Sequence, residues 1–286
     1  MTRPYAEVIG DPIGHSKSPL IHNFWLGKLR IDAEYRACHV TSSGLRDYVD
    51  ARNGDDLWRG CNVTLPHKRA IMPLLNKVDP RAEDVGAVNT VVMRDYLLEG
   101  FNSDRPGFLE PLKPFLANSK TFRRAYLIGS GGAALAIACG LVIDAKFSLV
   151  LYNRDPATAW RRFENLVGDE RDNRSLEDLM GQQFVEDESS GANDGLDVIV
   201  NATSLGMTGQ PPLEINLDLF PRHAIVYDIV YSPLETPLLK AARERGMRTV
   251  DGLEMLVRQA ALSFEKFFRQ PAPRQHDAEL RERLIA

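Results

Sequence analysis

The run Tyr126-Leu127-Ile128-Gly129-Ser130-Gly131-Gly132-Ala133-Ala134 constrains this chain more than any other. Three apolar residues, a glycine-rich turn and the apolar stretch Ala133–Ile143 read as a strand, a tight turn and a buried helix. The same alternation continues downstream. Ser148–Tyr152 is the next strand and Ala157–Leu166 the next helix, with further strands at Asp197–Asn201, Ala224–Ile229 and Arg248–Val250. Such a series predicts a mostly parallel, doubly wound sheet. The turn also fits the G-x-G-x-x-G/A pattern, with Ala134 in last place. There the glycines let a pyrophosphate approach the backbone, and the helix N-terminus supplies donors. A dinucleotide site is the expectation.

Which dinucleotide depends on the end of the next strand, Asn153-Arg154-Asp155. An acidic residue at that point binds the adenosine ribose, whereas an arginine holds a 2′-phosphate. Arg154 can stack on adenine and pair with phosphate. Asp155 repels a phosphate unless its side chain turns away ahead of Pro156. Arg161 and Arg162 either assist or are solvated helix residues. The balance favours NADP, and NAD stays open.

The amino-terminal half carries a different signal. Within Asn62-Val63-Thr64-Leu65-Pro66-His67-Lys68, Val63 and Leu65 alternate with Asn62 and Thr64, the period of a strand with one polar face. Pro66 reads as the first residue of a helix, shortened by Pro73, with Ser18-Pro19 opening an earlier helix in the same way. Lys68 then lies in a first turn, where the helix dipole disfavours a cation. Strands are expected at Tyr5–Gly10, Tyr35–Val40, Leu57–Leu65 and Ala87–Met93. Another run ends near Asn102, in a hairpin around Asp95, so this half is α/β as well. Residues 105–121, with three prolines, read as a connection. Leu253–Phe268 reads as a helix apolar on more than one face, and the tail after Gln270 as a short surface helix.

Ser16, Asn89, Asp104, Thr203 and Gln259 are polar residues placed where loops end strands or where a helix is otherwise apolar. Each has a plainer reading: Ser18 as an N-cap, Asn102 and Asp104 as Asx turns, Lys68 as a solvated lysine. Taken together, these hydroxyls, amides and one cation–anion pair suit a small polyhydroxylated or carboxylated ligand.

A chain of 286 residues exceeds a typical small core, so two domains are expected. The net charge of −4 and the lack of a basic tract argue against a nucleic-acid partner. Three scattered cysteines, no signal-peptide pattern and no apolar stretch of membrane length suggest a cytoplasmic protein without a membrane partner. His15, His22 and His223 have no acidic partner nearby in sequence and no assigned role.

In order, Ser16-Lys17-Ser18-Pro19, Asn62–Lys68, Gly86–Thr90, Asn102–Asp104, Gly129–Ala133, Asn153-Arg154, Asn201–Met207, Asp228–Tyr231 and Asp251–Gln259 carry a resemblance to the shikimate dehydrogenase family over essentially the whole chain. The resemblance implies an α/β substrate-binding domain (1–104), an NAD(P)-binding Rossmann domain (105–250), carboxy-terminal helices returning to the first domain (251–286), and an active-site cleft between the domains. It implies that Lys68 and Asp104 are catalytic. Ser16, Ser18, Asn62, Thr64, Asn89, Tyr231 and Gln259 would surround the substrate with them. Gly129, Ser130, Gly131, Gly132, Ala133, Asn153, Arg154, Asp155, Thr203, Ile229 and Gly252 would face the cofactor. The implied reaction is the reversible NADPH-dependent reduction of 3-dehydroshikimate to shikimate, by a monomer or homodimer.

The chemistry is coherent with that pair, since hydride transfer to a ketone creates an alkoxide that needs a proton. Departures from the family pattern are Ser103 for threonine, Arg105-Pro106 where glycine is common, Asp155 for threonine, Thr158 where many members have a second arginine, and Ser130 for alanine. They leave open an NAD-preferring quinate/shikimate or an aminoshikimate enzyme. A non-catalytic dinucleotide sensor is the reading from another class, and retention of both Lys68 and Asp104 argues against it.

Overall fold

The computed structural model describes residues 3–117, 123–166, 172–180 and 195–286. Its first elements are β1 (Tyr5–Gly10), α1 (Ser18–Leu29), β2 (Glu34–His39), α2 (Leu45–Arg52), β3 (Trp58–Val63), α3 (His67–Ala70), β4 (Lys77–Val78), α4 (Pro80–Val85), β5 (Thr90–Arg94), β6 (Leu97–Phe101) and α5 (Asp104–Leu109). There follow α6 (Lys113–Leu116), β7 (Arg123–Ile128), α7 (Gly132–Cys139), β8 (Ser148–Asn153), α8 (Pro156–Phe163), β9 (Asn173–Ser175), β10 (Leu196–Asn201), β11 (Ile225–Asp228), α9 (Pro237–Glu244) and β12 (Arg248–Val250). The chain closes with α10 (Gly252–Phe268) and α11 (Asp277–Ile285). Two compact units form, Met1–Gly107 with Val257–Ala286, and Phe108–Leu256.

The first unit has a six-stranded sheet in the order β2-β1-β3-β5-β6-β4. β1 pairs in parallel with β2 and β3, whereas β5 runs antiparallel to both β3 and β6. The hairpin between β5 and β6 turns at Asp95 and Tyr96, both at positive φ (48° and 63°), the backbone of a tight two-residue hairpin turn. Strand alternation sends Tyr5 and Ile9 into a core with Leu45, Tyr48, Trp58 and Val63. Glu7 falls on the same face and is fully buried. It accepts from Arg36 Nε, Arg52 Nε and the Tyr48 hydroxyl, each at 2.8 Å. Burial alone would raise its pKa, but the guanidinium and hydroxyl donors hold it below the usual carboxylate range.

The second unit has six strands in the order β12-β11-β10-β7-β8-β9, every pair parallel. Alternate residues of β7 enter different cores. Ala125 and Leu127 meet Ile137 and Leu141 on one face, and Tyr126 and Ile128 meet Leu213 and Leu239 on the other. The strand order reverses between β7 and β10, so a crevice opens at their carboxyl ends, the position where doubly wound sheets bind ligands.

Several local expectations give way. β3 ends at Val63, and Leu65 is 68% exposed, so Val63 and Leu65 do not share a buried face. Pro66 precedes α3 rather than opening it, and α3 is one turn long, so Lys68 has no extended helix dipole to oppose. Ser18 is not the cap of α1 but its first residue; the Ser16 hydroxyl accepts from the Ser18 N–H instead (3.3 Å). Residues 105–116 are largely helical, not an open connection, and residues 118–121 of that segment lie outside the described residues. The strand expected from Ala87 starts at Thr90. The tail helix α11 buries Leu280 and Leu284, which anchors it to its unit. His223 does find an acid, Asp197, at 3.0 Å, brought close by folding. Among the described residues no helix is long and apolar enough to cross a membrane.

Candidate active site

Register brings the first unit's polar residues to one end of its sheet. Asn62 pairs with Thr90, Thr90 with Phe101, and Ile9 with Val63. Because β5 runs against β3 and β6, its start lies beside their ends. The segments carrying Ser16 and Ser18 (after β1), Thr64 and Lys68 (after β3), Asn89 (before β5) and Asp104 (after β6) therefore converge from four places in the sequence. Lys68 Nζ donates to Asp104 Oδ2 at 2.6 Å, with both side chains mostly buried. The Lys68 carbonyl is itself held by the Val88 N–H (2.8 Å).

Beneath this pair lies a hydrogen-bonded network. Asn89 Oδ1 accepts from the Ser103 N–H (2.7 Å), and its Nδ2 donates to the Ser103 hydroxyl (3.0 Å). That hydroxyl also donates to Gln259 Oε1 of α10 (3.3 Å). Asn62 is committed inside the network: its Oδ1 accepts from the Tyr35 hydroxyl (2.7 Å), and its Nδ2 lies within reach of Ser263 Oγ (2.9 Å), Thr90 Oγ1 (3.2 Å) and the Asn89 carbonyl (3.2 Å). Its polar atoms face protein partners, so the geometry makes Asn62 a brace for the surrounding groups. Thr90, Ser263 and Tyr35 were not singled out from sequence. Ser263, one helical turn after Gln259 on the same face of α10, was the signal available.

In the second unit, Gly129 directly follows β7 at φ 112°, a conformation that favours glycine. A Cβ there would lie 2.9 Å from Thr203 Cγ2 and 3.0 Å from the Ala202 carbonyl, so the turns after β7 and β10 touch. Thr203 is fixed through its N–H (3.0 Å) and hydroxyl (2.7 Å), both donated to Asn201 Oδ1. At Gly252 a Cβ would meet the Ile229 carbonyl at 2.3 Å, which brings the start of α10 against the segment after β11. Ser130, Gly131, Gly132 and Ala133 form the entry to α7, and a Cβ at Gly131 or Gly132 meets nothing within 4 Å.

Asn153, the last residue of β8, is buried, and neither atom of its amide has a partner among the described residues. Arg154 is exposed and lines a groove of about 480 Å³ together with Leu176, Leu205, Leu213, Glu177 and Glu214. Asp155 turns away to cap α8, accepting from the Thr158 N–H (3.1 Å). The Thr158 contacts hold its carboxyl below the usual range. Tyr231 lies in this second unit, and burial raises the pKa of its hydroxyl.

The family model for the shikimate dehydrogenase substrate binding domain matches residues 8–91, and the model for the shikimate 5′-dehydrogenase C-terminal domain matches residues 252–279. The shikimate dehydrogenase (NADP(+)) of Sphingopyxis alaskensis is 44% identical over 284 residues, covering 99% of this chain and 97% of the relative. The chain belongs to the shikimate dehydrogenase family. Among solved shikimate dehydrogenases, that of Thermus thermophilus in complex with NADP(H) and shikimate superposes with a TM-score of 0.79 at 32% identity, covering 98% of this chain and 99% of the other. The Listeria monocytogenes enzyme in complex with shikimate and NAD gives 0.82 at 32% identity, covering 97% and 96%.

In this member of the family, two departures from the family pattern have a structural account. Arg105, only 2% exposed, pairs with Asp84 at 2.9 Å and ties α5 to α4 next to the residue that pairs with Lys68. Asp155 serves α8 as a cap, which takes its charge away from Arg154.

Proposed function

We infer that this protein is an oxidoreductase catalysing the reversible NADPH-dependent reduction of 3-dehydroshikimate to shikimate, a step toward chorismate and the aromatic amino acids, with Lys68 moving the proton. One observation carries the reading: in a member of this family, Lys68 Nζ and Asp104 Oδ2 meet at 2.6 Å among hydroxyl and amide groups.

The residues of the second unit fit NADP. The entry to α7 offers backbone N–H groups without intrahelical partners for a pyrophosphate, unobstructed at Gly131 and Gly132. The Asn153 amide, buried without a partner among the described residues, suits the adenosine end. Arg154 offers a cation for a 2′-phosphate, with Leu176, Leu205 and Leu213 giving the groove apolar surface for adenine. Bound there, NADPH supplies the hydride that reduces the ketone carbon.

In the reduction, charge grows on the carbonyl oxygen and Lys68 Nζ gives it a proton; in the oxidation the neutral amine takes that proton back. An ammonium has three donors. One is directed to Asp104, which leaves others for the substrate oxygen. Asp104 Oδ1 accepts from a neighbouring substrate hydroxyl, so one carboxylate orients both proton donor and ring. Ser16, Ser18, Thr64, Asn89 and Gln259 complete the binding of carboxylate and hydroxyls. Tyr231 serves as a hydroxyl donor. The cytoplasm is the compartment we assign to it.

Steady-state rates with shikimate and quinate, each with NADP and NAD, test the reading. The highest kcat/KM is expected for shikimate with NADP; a strong quinate–NAD preference overturns it.

A further inference from the structure

We propose that Arg162 is a positioning residue for the pyrophosphate turn: its guanidinium holds the Ser130 carbonyl and thereby aims the Gly131 N–H at the bound dinucleotide. The inference rests on the assignment of that turn to NADP. Arg162, in the last turn of α8, donates from Nη1 to the Ser130 carbonyl at 2.6 Å. The peptide between Ser130 and Gly131 is not among the cis bonds of the chain. In a planar trans peptide the C=O and the following N–H point in opposite directions. Fixing the carbonyl toward α8 therefore turns the Gly131 N–H to the other side.

That peptide needs an external constraint. Glycines lie on both sides of Ser130, so a flip of the unit meets little steric resistance. A flip would present a carbonyl dipole to a phosphate in place of a donor. The Gly129 N–H cannot substitute, because it is already given to the Tyr152 carbonyl (2.9 Å). Gly131 itself has extended ψ (−177°) and precedes α7, so its N–H opens the series of helix-entry donors. Arg162 thus acts on a part common to NADP and NAD, whereas Arg154 acts on the 2′-phosphate that only NADP carries.

The test is direct binding, by isothermal titration calorimetry, of NADPH and of NADH to the wild type, Arg162→Ala and Arg162→Gln. Arg162→Ala is expected to raise both dissociation constants about tenfold, the scale of one charge-assisted hydrogen bond, with their ratio unchanged. Arg162→Gln, which keeps a donor but no charge, is expected to return both to within about threefold of the wild type. Thermal midpoints should match, since the side chain is exposed. A loss confined to NADPH would make Arg162 a 2′-phosphate ligand and overturn the proposal. So would unchanged binding in Arg162→Ala, or a glutamine variant no better than alanine. Failure of the wild type to bind either dinucleotide would instead overturn the cofactor assignment on which the proposal rests.

Discussion

Asn62 and Asn153 are both buried asparagines at the ends of strands, 7% and 4% exposed, and their surroundings treat them in opposite ways. Asn62 is bonded to Tyr35 and Ser263 and lies within reach of Thr90 and the Asn89 carbonyl. Asn153 has no partner among the described residues for either amide atom. The difference extends to the regions around them. The first unit's polar residues are bonded mainly to one another, which holds Lys68 and Asp104 in one geometry. In the second unit the entry to α7 carries backbone N–H groups that have no partner within the helix. Proton transfer demands positions fixed before the substrate arrives, because misplacement by an ångström is costly. Dinucleotide binding demands groups that the ligand itself completes.

The largest effect should come from the fixed side of this comparison. Lys68→Ala is expected to lower kcat by about 10²–10⁴-fold, the usual worth of a positioned acid–base group, while the KM for shikimate stays near the wild-type value. Turnover close to normal would remove Lys68 from the proton path.

The two units should also respond oppositely to acid. His22, fully buried against Tyr35 (ring centroids 4.0 Å apart), has its pKa lowered by burial to about 3. Its contribution is therefore full above pH 6.5 and is lost as pH falls toward 3. Asp228 accepts from Thr236, Asn201 and the Val230 N–H, yet burial dominates and raises its pKa to about 6. Its contribution is full below the ordinary aspartate value of 3.8 and is lost as pH rises through about 6. Between pH 7 and pH 4 His22 costs on the order of 3 kcal/mol and Asp228 returns on the order of 2 kcal/mol. Calorimetric midpoints across that range should fall less steeply for His22→Phe and more steeply for Asp228→Asn; no change in either slope would refute the assignment.

The asparagines themselves give the next contrast. Asn62→Ala should lower stability in urea by about 2–3 kcal/mol, because it strands several buried groups. Asn153→Ala should leave the ligand-free protein as stable as the wild type or more so, and weaken NADPH binding. A destabilised Asn153 variant would show that the amide has a structural duty after all. The smallest effect expected is that of Arg154→Ala, about a tenfold rise in KM for NADP against little change for NAD; an equal rise in both would take the 2′-phosphate from Arg154.

The order of strands and helices was readable from periodicity and from glycine and proline positions, because β7, the glycine turn and α7 are contiguous and obey local rules. The family was readable from the order of short polar segments. Lys68 and Asp104 were readable as candidates for the same reason, although nothing local separates them from a solvated lysine and an Asx turn. Tertiary structure decided the rest. It closed the 2.6 Å contact by running β5 against both β3 and β6. It enclosed Asn62 among Tyr35, Thr90 and Ser263, and placed Arg162 on the Ser130 carbonyl. Each of these depends on groups far apart in sequence, and hydrogen-bond direction is set by where a partner lies in space, which residue spacing along one chain does not encode.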